Sequence, residues 1–358
     1  MEVKSDFESE VREFAGEFGG LKNLHMHGDR AYTRRDSFYS HIGKSVAELD
    51  RLTLAEKQKL TWALHTGAAF HSDCIEERMT RLVDESLGFG AGEVGTTVDV
   101  TYNTKLSSLE VAERVRDNFQ NRSKVLIGAY NPSGFKIKKD APERFEYFEE
   151  AAKRADFLVA LAEKDRAGGH IGEQQHNVYM LNLAYQLGKP VHFHVGQENR
   201  PTDLTTENLL DALEWVQDVQ LMVDPIDFPR PYFVHAISPS CQPEDDFKRT
   251  LDRMVERDVG VVCCPRTAIS MLQDRSRNAP IHNSIGRVLD FACAGIPVSL
   301  GVDNLGDIYI PASSPDVYDE VEYLANALRF YNPRILAKIG CGAELDDFDR
   351  GTIQRAVA

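Results

Sequence analysis

The run Pro190-Val191-His192-Phe193-His194-Val195-Gly196-Gln197 (PVHFHVGQ) sets histidine at alternate positions of an apolar stretch, then stops at glycine and glutamine. Side chains of a strand alternate between two faces, so His192 and His194 share one. A short apolar run ending at a glycine reads as a buried strand. What such a strand is for depends on whether other strands end in the same way.

Short runs of similar character recur at 21–27, 94–101, 124–130, 156–162, 231–236, 259–263 and 296–301. Amphipathic stretches with i, i+3, i+4 spacing separate them, at 107–119, 143–155, 172–187, 204–219, 245–257, 284–294 and 316–330. Eight strands with helices between them predict an α/β chain folded as a (β/α)8 TIM barrel. The 358 residues suit a barrel of ~250 residues with added loops. The alternative is an open doubly wound sheet, but its phosphate loop is missing. Gly90-Ala91-Gly92-Glu93-Val94-Gly95 spells GxGxxG, yet it precedes a strand instead of following one. The expected organisation is one barrel over 1–358, with 1–20 a helical extension and 332–358 a helical tail.

Composition narrows the partners. A net charge of −15 argues against nucleic acid, which needs a basic surface. No apolar run is long enough to span a membrane, and the acidic start MEVKSDFESE lacks a signal-peptide core. Six cysteines without CxxC spacing, Cys263 and Cys264 adjacent among them, fit free thiols and a cytoplasmic location. A small molecule is the expected partner.

The strand ends carry the chemistry. His25 and His27 share a face at the end of the first run, His194 ends the fifth, His235 the sixth, and Asp303 follows the eighth. A lone strand-end histidine is usually a hydrogen-bonded core residue. Five ligand-type side chains at four strand ends match the way a barrel assembles a metal site at its C-terminal face. Imidazole and carboxylate suit one divalent ion, Zn or Fe(II), which lowers the pKa of bound water to about 7. His192 is a rival ligand or a support for one, and lies deeper in its strand. The connection 28–52, with Asp29, Arg30, Tyr32, Arg34, Arg35, Tyr39 and His41, is expected over the mouth, as a lid or as an ordinary loop.

These motifs resemble the cytosine deaminase-like branch of the amidohydrolase superfamily. His25-Met26-His27-Gly28-Asp29-Arg30-Ala31 (HMHGDRA) is similar to its HxH-x-D-K/R opening, and GTTVDV to its second strand. HAISPS resembles its sixth-strand histidine segment and GIPVSLGVDNLGD its eighth-strand aspartate segment. The resemblance runs from Leu21 to Tyr331. It implies that His25, His27, His194 and Asp303 bind one divalent metal. It also implies that His235 contacts the attacking water or the tetrahedral intermediate, and that Asp303 takes a proton from the water. The N-terminal and C-terminal stretches show no strand pairs, so the accessory β-sandwich of composite members is not expected.

Two positions depart from that branch. Its deaminases place a proton-shuttling glutamate where this chain has Gln197, and a carboxamide does not titrate near neutral pH. Glu198, Glu163 and Lys164 are the candidate replacements. After the third strand, Pro132 stands where cytosine deaminase has a substrate-reading glutamine, with Asn131 the available substitute. Asp29, Arg30, Asn131, Glu163 and Asn304 are candidate substrate contacts, and Glu163 is also a candidate ligand for a second metal. Arg266 and Gln273 are within reach of the mouth, whereas Ile269 and Met271 read as packing residues. Asp165 and Arg166 read as a solvated turn, and His176 as a helix-surface residue.

The resulting expectation is a metal-dependent hydrolase of a C–N bond in a small nitrogen-containing, heterocyclic molecule, with Asp303, His235 and Gln197 as catalytic residues. Two alternatives stay open on the same fold: a cyclic amide hydrolase or non-hydrolytic biosynthetic enzyme, and a barrel that binds metal or ligand without catalysis. Members of this group often form homo-oligomers, and nothing in the sequence decides that here.

Overall fold

The structure is a computed structural model, described over residues 5–137, 142–198, 200–223, 228–270 and 285–357. Eight parallel strands follow one another around a single sheet in chain order: β1 (Leu21–Asn23), β2 (Ala91–Asp99), β3 (Lys124–Tyr130), β4 (Phe157–Ala160), β5 (Val191–Val195), β6 (Pro231–His235), β7 (Gly260–Cys263) and β8 (Val298–Leu300). This sequential order, with β1 returning to β8, is a (β/α)8 barrel and excludes the doubly wound sheet.

Closure of the barrel positions three of the strand-end residues. The expected first strand, 21–27, is regular only to Asn23; beyond it the chain bonds both neighbours through isolated bridges, Met26 with Asp303 and His27 with Thr97. On one side Leu24 N donates to Leu300 O (3.1 Å), Asp303 N to His25 O (2.9 Å) and His27 N to Asp303 O (2.9 Å). On the other, Thr97 N donates to Met26 O (2.6 Å). The same bonds that shut the barrel therefore set His25 and His27 beside Asp303.

Between strands, the helices Ser107–Phe119, Pro142–Arg154, Glu173–Leu187 and Glu244–Glu256 fall within a residue of the amphipathic stretches. The connection after β1 is more ordered than its sequence suggests. Short helices Val46–Leu49 and Leu54–Lys59 start at capping boxes, Ser45 with Glu48 and Thr53 with Glu56. A long helix, Ser72–Gly88, absent from the amphipathic stretches read in the sequence, then leads into β2. Its buried face is Ile75, Met79, Leu82 and Val83, with Arg78 among them. The Arg78 guanidinium donates to the carbonyls of Asp29 (2.9 Å), Ala31 (2.5 Å) and Ala69 (2.6 Å), so one buried cation ties the connection to the barrel.

The GxGxxG run is explained by packing. A Cβ on Gly92 would lie 2.1 Å from the Gly19 carbonyl oxygen, so the residue must lack a side chain where the chain enters β2. The N-terminal helix Asp6–Glu17 packs on the helix Pro333–Gly340. All strands among the described residues belong to the one sheet, and no helix of theirs is long and apolar enough to cross a membrane.

Candidate metal centre and active site

Four buried side chains converge at the C-terminal ends of the strands. Nitrogens of His25, His27 and His194 and a carboxylate oxygen of Asp303 all lie within 4.8 Å of one another. His25 Nε2 is 3.1 Å from His194 Nε2, and His27 Nε2 is 3.2 Å from Asp303 Oδ1. Ligands at 2.0–2.1 Å in a tetrahedral zinc site would be about 3.3 Å apart, so the donor set fits a divalent ion.

The hydrogen bonds behind the rings favour the same tautomer in each. His194 Nδ1 donates to Ala160 O (3.1 Å), and His27 Nδ1 meets Thr97 Oγ1 (2.9 Å). His25 Nδ1 meets His192 Nδ1 (3.3 Å). A proton on each ligand's Nδ1 leaves the Nε2 lone pairs facing inward. His192 thus lies behind His25 and outside the four-residue group.

The electrostatics agree. Burial, then the neighbouring imidazoles, holds His25 and His194 well below the usual histidine range. Burial alone pushes His192 down to about 3. Burial works to raise the Asp303 carboxyl, but His27, then His235 and His25, outweigh it and hold the group well below the usual range. Neutral imidazoles and an ionised carboxylate are the protonation states that metal ligation requires.

The backbone is left-handed at His235 (φ 74°) and Asp303 (φ 61°). Such conformations cost of the order of 1–3 kcal/mol each in a residue with a side chain. Here they turn both side chains off their strand ends toward one point. His235 Nε2 is 3.8 Å from Asp303 Oδ2, and its Nδ1 is buried without a hydrogen-bond partner. Cys264, which the sequence marks only as a buried thiol, also comes close: ligand atoms of His235, Cys264 and Asp303 lie within 4.8 Å of one another.

A cavity opens above this centre, and His27, His194, Asp303, Arg30, Tyr130, Gln197, Asn304 and Tyr309 line it. Gln197 Nε2 donates to Glu163 Oε1 at 3.4 Å, and burial raises the Glu163 carboxyl. Asn304 presents a buried carbonyl oxygen without a partner. Arg30 is bound by Asp99 through Nε (2.7 Å) and Nη2 (2.6 Å), and His65 Nε2 meets the same carboxylate at 2.7 Å. Asp29 accepts from Asp99 N (2.6 Å), with burial and then Asp99 pushing it up to about 8. Nothing in the sequence singles out His65. Its position in a helix, far in the chain from Asp99, carries no signal of this pairing.

Several expectations need correction. Asn131 does not line the cavity: its Nδ2 donates to Gly134 O (3.0 Å) and its Oδ1 accepts from Ser133 N (3.0 Å), an Asx turn of its own loop. Asp165 is buried instead of solvated, and binds Phe135 N (2.8 Å), His170 (2.9 Å) and His176 (2.9 Å). His176 is accordingly a buried residue of its helix, not a surface one. Arg266 turns away from substrate to Glu320 (2.5 Å) and Asp319 (3.0 Å). Ile269 is 45% exposed and does not pack. Glu198 pairs with Arg200 and does not line the cavity. Gln273 and Met271 lie outside the described residues.

No protein-family model matches the chain. A protein of Haemophilus influenzae described only as uncharacterized is 21% identical over 287 residues, 78% of this chain and 92% of that one. Among solved structures, 5-methylcytosine deaminase from Klebsiella pneumoniae, liganded with phosphonocytosine, superposes with a TM-score of 0.71 at 18% identity, over 86% of this chain and 69% of that one. N-isopropylammelide isopropylaminohydrolase from Burkholderia multivorans gives 0.64 at 19% identity, over 93% and 74%. At such identities the likeness is one of architecture: this chain has the fold of these two enzymes.

Proposed function

We propose that the protein is a metal-dependent hydrolase of the amidohydrolase superfamily, acting on a C–N bond of a small nitrogen heterocycle in a deaminase-like reaction. The observation that carries this is the convergence of His25, His27, His194 and Asp303 at one point beneath a cavity. The names of the two solved neighbours, a deaminase and an aminohydrolase of nitrogen heterocycles, support the substrate class.

The four residues would hold one divalent ion, Zn or Fe(II), whose chemistry is to acidify water. Asp303, held ionised, accepts the proton of the attacking water. His235, 3.8 Å from it, holds the oxygen of the attacking water as the tetrahedral adduct forms. Gln197 directs its N–H to Glu163, which leaves its carbonyl oxygen to accept from a substrate N–H. Asn304 offers a second acceptor. Water adds first: the C–O bond forms as the double-bond pair moves to the ring nitrogen, which takes one of the water's protons. The C–N bond then breaks as the second proton leaves with the amine and the oxygen stays as the carbonyl.

A non-titrating Gln197 also favours a second reading, opening of a cyclic amide, in which the amine remains tethered to its product. Metal analysis and a substrate panel test both. About one equivalent of Zn or Fe per chain, lost in His25→Ala, with ammonia released from a heterocycle, supports deamination. Ring-opened product without ammonia supports the second reading. No metal on purification or reconstitution would overturn both.

A further inference from the structure

The cavity wall carries charge that the hydrolytic scheme does not use. Lys57, from the helix Leu54–Lys59, and Lys164, from the turn after β4, both line it. Lys164 Nζ donates to Gln58 Oε1 (2.5 Å), a neutral group. Neither lysine has a carboxylate within ion-pair distance among the described residues. Asp303 of the candidate metal centre apart, the other charged residues of the wall are compensated: Arg30 by Asp99 (2.6 Å) and Asp50 by Arg34 (2.6 Å). Glu163, next in chain to Lys164, is turned to Gln197.

Two ammonium groups without a direct carboxylate contact in a recess are costly, since burial outweighs the longer-range attraction of Asp307 and Asp50 for Lys57 and of Glu163 for Lys164. The cost shows in both: burial lowers Lys57, and pushes Lys164 down to about 8. In a chain of net charge −15, leaving two lysines unpaired in one cavity calls for an anion that arrives from outside.

We propose that Lys57 and Lys164 form an anion subsite, so that the substrate is a nitrogen compound bearing an acidic substituent, a carboxylate or a phosphate. The identity of this ligand as a substrate rests on the hydrolase reading. The subsite itself does not.

The test is calorimetric titration of metal-reconstituted protein with inorganic phosphate and, separately, with succinate. Lys57→Met, Lys164→Met and Lys164→Arg are run beside the wild type, each checked for metal content and thermal melting. At least one anion should bind, about tenfold or more weaker in either methionine variant, as expected for loss of a charged hydrogen bond. Lys164→Arg should retain binding, which separates charge from folding. Binding of phosphate alone points to a phosphate substituent, and binding of succinate to a carboxylate. Equal affinity in all variants would mean that the anion sits on the metal, and would overturn the proposal, as would no binding of either anion. Lysine-dependent binding by a protein that takes up no metal would keep the subsite and sink the hydrolase reading instead.

Discussion

Gln197 directs its amide nitrogen to Glu163, 3.4 Å away, and this contact orients the carboxamide. A carboxylate only accepts, so the N–H end is committed to it and the carbonyl end is available to a ligand. Glu163→Leu frees the amide to rotate. With the substrate identified, KM should rise by roughly tenfold while kcat changes less, the signature of lost ground-state orientation. A fall in kcat of ~10²–10⁴ at unchanged KM would make Glu163 a proton donor in its own right.

His192 stands behind the proposed metal ligand His25, with the two Nδ1 atoms 3.3 Å apart. His192→Leu should fold and still bind metal, with affinity reduced about 10–100-fold, the usual cost of losing such a partner. Competition with a chromogenic chelator measures this. Unchanged affinity would show that the His25 tautomer is set otherwise.

The same ring gives a pH dependence. Its pKa is about 3 in the folded protein, so between there and the ordinary value near 6.5 the unfolded chain binds more protons. The stability present above pH 6.5 is therefore lost as pH falls through that window. The urea midpoint of metal-free protein should drop from pH 7 to pH 4, and the slope should be shallower in His192→Leu. Equal slopes would assign acid sensitivity to other groups.

Asp303→Asn keeps an oxygen donor but removes the base. Turnover at saturating metal should fall by ~10²–10⁴. Full turnover would end the hydrolytic scheme.

Asp99 holds Arg30 and His65 together in the interior. Asp99→Ala leaves a buried guanidinium without its counterion and should cost about 3–5 kcal/mol of stability, read from urea unfolding. A loss below about 1 kcal/mol would mean that water already reaches Arg30 through the cavity.

The amino-acid sequence by itself determined the barrel and its centre. Alternating apolar and amphipathic runs are local patterns, and each strand or helix writes its own period into neighbouring residues. His25, His27, His194, His235 and Asp303 were legible for the same reason: each sits at a recognisable strand end. The tertiary structure alone decided which polar residues pair. Asp165 with His170 and His176, Arg266 with Glu320, and His65 with Asp99 look in sequence like surface or unassigned groups, because a charged residue is buried or exposed according to partners elsewhere in the chain. The left-handed backbone at His235 and Asp303 leaves no mark in composition. Lys57 and Lys164 are 107 residues apart, and only the folded chain puts them on one cavity wall.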